Sequence, residues 1–395
     1  MSLLDRLRTL ARDREELLQG EGDPFGVPVE QVLSATEARI GGRTVVMAGT
    51  NNYLGLTFDP RCIQAAHDAL SAGGTGTTGS RMANGSYVSH LELEKDLADF
   101  YGKRSAIVFS AGYLANLGMI SALTGAGDVV LIDADCHASI YDGCMLSGAD
   151  LLRFRHNDPE SLEKRLRRLG ERAGRTLIIV EGLYSMLGDR APLKEIVELK
   201  RRFGCFLMVD EAHSLGVLGD NGRGLSEETG TAEDVDFVVG TFSKSLGGVG
   251  GFSVSDRSEM DLVRYSSRPY IFTASPAPSV VASTSEALRI MRSSPELRER
   301  LWDNARSVYE ALEGLGYRLG PDVSPVVAAR LDTPDQALAL WRGLIEEGVY
   351  VNLMLPPATP AGESLVRCSI SAAHTAQQVD QICEAFAALR QRVPA

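Results

Sequence analysis

Short apolar runs recur along the middle of the chain: "SAIVFS" (105–110), "DVVLI" (128–132), "TLIIVE" (176–181), "FLMVD" (206–210), "DFVVG" (236–240) and "GGFSV" (250–254). Most are uninterrupted rather than alternating, the pattern of strands covered by helices on both faces. Between several of them lie stretches such as "SLEKRLRRLGER", with the helical period that parallel crossovers need. The pattern predicts an α/β fold with a mostly parallel open sheet, in a large domain over 51–275. A lead segment over 1–50 precedes it. Its first part, "MSLLDRLRTLARDREELLQG", spaces Leu3, Leu7 and Leu10 as one helical stripe closed by Gly20, and "ARIGGRTVVMAG" reads as a hairpin turning at Gly41-Gly42. The stripe is expected to dock on the body of the protein or on a second subunit, with peripheral membrane contact the lesser alternative. Past 275 the rhythm changes. A long helical stretch (279–315) leads into "VSPVVAARL" and a smaller α+β C-terminal domain over 276–395.

Composition narrows the function. Hydrophobic residues make up 44% and charged residues 23% of 395, the mix of a soluble globular protein. A formal net charge of −12 argues against nucleic acid as a partner. Cys62, Cys136, Cys144, Cys205, Cys368 and Cys383 are scattered with no C-x-x-C pair, so reduced thiols and a cytoplasmic location are expected. No secretory-type apolar segment and no run long enough to span a bilayer is seen.

In open α/β sheets, ligands bind beyond the carboxyl ends of the strands. "FLMVD" delivers Asp210 and then His213; "TLIIVE" ends in Glu181, with Ser185 beyond; "DVVLI" leads to Asp135 and His137; "DFVVG" delivers Thr241, Ser243 and Lys244. "SAIVFS" runs into Gly112 and Tyr113 at a helix start, whose backbone N–H groups make a phosphate cradle. A zinc site is disfavoured, because Lys244 would repel the metal and no close ligand pair accompanies it. "GTGTTGS" (74–80) resembles a dinucleotide loop only loosely, with no strand before it. Pyridoxal 5′-phosphate fits better, since it needs a lysine, an acidic partner for its ring nitrogen, and phosphate donors. Lys244 meets the first need, Asp210 the second, and Gly112, Tyr113, Thr241 and Ser243 the third. His67, His90, His156 and His374 are expected to be structural or superficial.

"NNYLGL", "GTTGSRMANGSYVSHLELEKDLADFYG", "EGLYSMLGD", "DEAHSLGVLG" and "GTFSKSLGG" together resemble the α-oxoamine synthase family of fold-type-I pyridoxal-phosphate enzymes, over about residues 20 to 390. The resemblance implies a decarboxylating condensation of an amino acid with an acyl thioester, in a homodimer with shared sites. By "DADCHASIYDGC", "RFRHN", "RPYIFTAS", "PPATPAG" and "RCSISAAHT", the chain is most similar to the branch that joins L-serine to palmitoyl-CoA, giving 3-ketosphinganine. Sister branches use glycine or alanine and other thioesters. The resemblance further implies that Lys244 holds the cofactor and moves the Cα proton, Asp210 keeps the ring nitrogen protonated, His213 meets the phenolic oxygen, and His137 stacks on the ring. Gly112, Tyr113, Ser185, Thr241 and Ser243 are implied as cofactor contacts, and Thr273 as a phosphate hydroxyl lent by the neighbouring subunit. Asn52, Tyr53 and Arg367 are implied at the substrate end, Arg367 on the amino-acid carboxylate. One position departs from that branch: an arginine precedes "PPATPAG" there, whereas this chain has Leu355. An arginine restored at 355 is expected to be tolerated.

Overall fold

The structure, a computed structural model, describes residues 3–18, 23–356, 359, 362–390 and 392. After a first helix, Asp5–Leu18, three short strands β1 (Gln31–Val32), β2 (Glu37–Ile40) and β3 (Arg43–Met47) form an antiparallel ribbon. The β2–β3 turn falls at Gly41-Gly42, where φ is +57° and +73°. Both residues sit in the left-handed region a tight hairpin turn demands, and glycine enters it without a Cβ penalty. Gly20, expected to close the first helix, lies outside the described residues. Docking of the leucine stripe onto its own chain is not observed: Leu3, Leu7 and Leu10 are 92%, 61% and 64% exposed.

The large sheet contains β4 (Ser105–Phe109), β5 (Val129–Asp133), β6 (Asp150–Phe154), β7 (Thr176–Glu181), β8 (Phe206–Asp210), β9 (Phe237–Thr241) and β10 (Gly251–Ser255). Their order is β4-β10-β9-β8-β7-β5-β6, parallel except for β10, which runs antiparallel to both neighbours. All strands but β10 therefore point their carboxyl ends at one edge. β5 and β7 are buried along their whole length, as continuous apolar runs require. β6 carries Asp150 and Arg153 on a partly open edge, so its sequence lacks the apolar run that marks the others.

The expected single helical stretch over 279–315 is two helices, Pro278–Ser293 and Pro295–Gly314. Pro295 has no N–H to continue the first helix, and it occupies the opening turn of the second, where none is needed. Beyond them β11 (Val326–Leu331), β13 (Asn352–Met354) and β14 (Ser364–Ser369) make an antiparallel sheet, while β12 (Val349–Tyr350) pairs in parallel with β3. The N-terminal ribbon and the C-terminal region thus share a sheet. Their common core includes Val46, Val349, Val366 and Phe386. Leu355 is 7% exposed within this apolar cluster, where an arginine's charge would be taken out of water, so the site weighs against the expectation that one would be tolerated there. All six cysteines are free thiols. Among the described residues no helix is long and apolar enough to cross a membrane.

Candidate active site

The turn after β9 explains why one lysine sits among glycines. Phe242 is buried and stacks on Phe252 at 5.8 Å. A Cβ on Gly240 would meet the Phe252 ring at 2.5 Å, and one on Gly250, whose φ is +148°, would meet the Phe242 ring at 2.4 Å. With those positions bare, the chain folds back through Phe242 N–H to the Gly250 carbonyl (3.0 Å) and Gly248 N–H to the Phe242 carbonyl (2.9 Å). Lys244 is thereby set in the wall of a cleft of about 260 Å³ at the carboxyl edge of the sheet.

Gly112, Tyr113, Asn116, His137, Glu181, Asp210, His213, Thr241, Ser243 and Lys244 all line this cleft. The helix Gly112–Leu123 starts there from an extended Ala111 that supplies no side-chain cap. Its first N–H groups are the orphan donors of a helix start, with the positive end of the helix dipole behind them. A Cβ on Gly112 would come within 2.7 Å of the Thr241 side chain, so only glycine keeps this corner open. The Thr241 and Ser243 hydroxyls lie 2.8 Å apart beside it.

At the opposite wall Asp210 is buried. Its Oδ1 accepts from Ala212 N–H at 2.9 Å and its Oδ2 from Asn116 Nδ2 at 2.7 Å. Asn116 also reaches Ser139 Oγ (3.0 Å), which lies 2.8 Å from His137 Nδ1. That same Nδ1 accepts from Ser139 N–H, which leaves the ring proton on Nε2, facing the cleft. Asn116 is a functional residue that sequence reasoning missed. Its only signal is a single amide one turn into an otherwise apolar helix.

Burial is the leading cause of the pKa shifts of His137, His213, Lys244 and Glu181. Burial, opposed by Asp210, lowers the His137 pKa; burial, with Lys244 next, holds His213 well below its usual value. Burial also lowers Lys244 from 10.5 to about 8, with Asp210 and Glu181 resisting. Glu181 accepts from the backbone N–H of His137 and is pushed well up by burial and then by Asp210. Sequence analysis placed it at a strand end without a role.

The other expected residues lie at varied distances from the cleft. The hydroxyl of fully buried Tyr53 is 2.7 Å from His213 Nδ1, so it braces that ring from behind. Asn52 is turned away, donating to Thr57 Oγ1 at 2.8 Å. Ser185 does not line the cleft; its carbonyl accepts from Arg367 Nη1 at 2.6 Å. Arg367, on β14, is buried, and its Nε has no hydrogen-bond partner among the described residues. Thr273 follows the short helix Arg268–Ile271 and does not line the cleft of its own chain. In "GTGTTGS" only Gly79 is required by packing, since a Cβ there would strike Asn84 while Gly74 and Gly76 have open space.

A bare helix start beside two hydroxyls, a buried carboxylate and a lysine of lowered pKa, all lining one cleft, form a donor set that fits pyridoxal 5′-phosphate. The profile of class I and II aminotransferases matches residues 43–386. The chain is 55% identical to a serine palmitoyltransferase of Caulobacter vibrioides over 98% of its own length and 96% of that protein's. It is 51% identical to the Sphingomonas paucimobilis serine palmitoyltransferase over 98% and 92%. A solved variant of the latter with a bound PLP–myriocin aldimine superposes with a TM-score of 0.97 at 50% identity, covering 100% of this chain and 99% of that one.

Proposed function

The chain belongs to the aminotransferase class I and II family, and we propose from that membership that it condenses L-serine with a long-chain acyl-CoA, palmitoyl-CoA above all. The products are 3-ketosphinganine, CoA and CO2. A bond forms between serine Cα and the thioester carbonyl carbon, the CoA thiolate leaves, and the bond to the carboxylate carbon breaks. Among the family's activities, the choice rests on the near full-length match to serine palmitoyltransferases.

Bound in the cleft, pyridoxal 5′-phosphate supplies an electron sink for negative charge at the amino acid's α-carbon. Lys244 would hold its aldehyde carbon, Asp210 its ring nitrogen, His213 its phenolic oxygen, and the helix start with Thr241 and Ser243 its phosphate. A lysine near 8 exchanges protons readily close to neutral pH, which suits Lys244 to move the Cα proton. The Nε2–H of His137 points into the cleft and suits a carboxylate. Arg367 supplies the second, charged contact to that carboxylate, and its buried, unpartnered Nε is a donor in want of an acceptor. Thr273 does not line the cleft of its own chain, and the reading includes a homodimer, working in the cytoplasm, in which Thr273 would serve the neighbouring copy's cleft. The test is mass spectrometry of products from serine, glycine and alanine crossed with acyl-CoAs of graded length. A 3-ketosphinganine product from serine is expected; far better turnover of glycine or alanine would move the protein to a sister activity.

A further inference from the structure

His156, expected to be structural or superficial, sits in a cluster that the reaction above does not use. Its Nδ1 lies 2.8 Å from Asp133 Oδ1 and its Nε2 lies 2.6 Å from Asp189 Oδ2. Both carboxylates are buried. A neutral imidazole has one N–H and could satisfy one of them; two carboxylates within reach call for two N–H groups, hence an imidazolium. We propose that His156 is a positioning residue for amino-acid binding, a cation that locks the loop carrying His137 to the loop whose Ser185 carbonyl seats Arg367.

On one side, Asp133 ends β5, and its Oδ1 also accepts from Asp135 N–H at 2.9 Å. That contact shapes the turn from which His137 is launched, and His137 begins the next helix. On the other side, Asp189 closes the loop after β7. Its carbonyl accepts from Tyr184 N–H at 2.9 Å, and Gly188 N–H returns to the Tyr184 carbonyl at 3.0 Å. Ser185 sits inside that loop, with its carbonyl on Arg367. Asn157 doubles the clamp by donating from its N–H to Asp133 Oδ2 (2.8 Å) and from Nδ2 to Asp189 Oδ2 (2.7 Å), with φ at +50°. A non-glycine residue takes that conformation at a cost, which the two hydrogen bonds offset.

Among the described residues the titratable groups against the ring are Asp133, Asp189, Asp135 at 3.8 Å, and the Tyr184 phenol ring, edge-on at 4.5 Å. Burial works against the imidazolium, but the hydrogen bonds it donates to Asp133 and Asp189 outweigh it and bring the ring to about 10. The charge therefore persists throughout the neutral range.

The proposal rests on the reading that Arg367 takes the amino-acid carboxylate, and the experiment separates the two. Holoenzyme labelled with 15N-histidine is expected to show one ring with both nitrogens protonated at pH 8.5, absent from His156→Gln. Should that variant not fold, Asp189→Asn, which keeps an acceptor for Nε2–H, assigns the signal by shifting it. Titrating serine against the visible band of bound pyridoxal phosphate, His156→Gln is expected to need about tenfold more serine, the lower end for a misplaced charge-assisted contact. Its cofactor content and its KM for palmitoyl-CoA stay at the wild-type values. A neutral His156 at pH 7, unchanged serine affinity, or equal losses for both substrates overturns the proposal. Arg367→Lys runs in parallel. If it weakens serine while His156→Gln does not, the carboxylate site stands and the clamp falls. If Arg367→Lys leaves serine untouched, the carboxylate reading falls, and the route through Ser185 falls with it.

Discussion

Lys244 offers a quantity that the apo-enzyme can report. Burial brings its ammonium from 10.5 down to about 8, against the pull of Asp210 and Glu181. At pH 7 an ordinary lysine is free amine in about 0.03% of molecules, while one near 8 is free in about 9%, a gain of about 300-fold in nucleophile. Capture of pyridoxal phosphate by apo-enzyme should therefore rise with a midpoint near pH 8 and then level, whereas capture by free Nα-acetyl-lysine keeps climbing through about pH 10. Asp210→Asn removes the charge that holds the ammonium up, so its midpoint should fall below the wild-type one. The same shift enters stability. The folded value lies below the unfolded one, so the unfolded chain binds more protons between about pH 8 and 10.5, and Lys244's penalty is full below that window and fades as pH rises through it. Apo-enzyme should gain at most about 3 kcal/mol across the window relative to Lys244→Met, an upper bound because part of the side chain meets solvent in the cleft. Capture that keeps climbing past pH 9.5, or an upward midpoint in Asp210→Asn, would refute the reasoning.

With cofactor bound, Asp210→Asn should retain the visible chromophore yet lose at least about a hundredfold in turnover, since it removes the preorganised charge opposite the ring nitrogen; near-normal turnover would place that partner elsewhere. In mixtures of Lys244→Ala with Thr273→Ala, random reassortment puts an intact site in half of the hybrids' positions, so up to about a quarter of wild-type activity should return; full activity in a sedimenting monomer excludes shared sites. Leu355→Arg should melt well below wild type, because an unpaired charge placed in an apolar cluster costs on the order of 3 kcal/mol; an unchanged melting temperature would mean the side chain escapes to solvent.

The large sheet was legible because its strands are covered on both faces and so read as plain apolar runs. β6 was not, since an edge strand keeps polar residues such as Asp150 and Arg153 and loses that mark. The cleft's lysine, carboxylate and histidines could be gathered from sequence because each ends, or closely follows, a recognisable strand, and in a parallel sheet all such ends share one edge. Asn116 escaped because helical periodicity predicts which residues are buried but not what a buried amide meets. Its partners, Asp210 and Ser139, come from two other crossovers. The partners of His156, a residue read from sequence as structural or superficial, escaped for a related reason. Residues 133, 156 and 189 carry no mutual spacing; they meet because β5, β6 and β7 lie side by side and each sends a polar residue past its end. The order β7-β5-β6 also gives the clamp its place. It sets the loop after β5 beside the loop after β7, and the first carries His137 while the second seats Arg367. A cation between two buried carboxylates joins them by charge, and a neutral imidazole, with one N–H, could donate to only one of them.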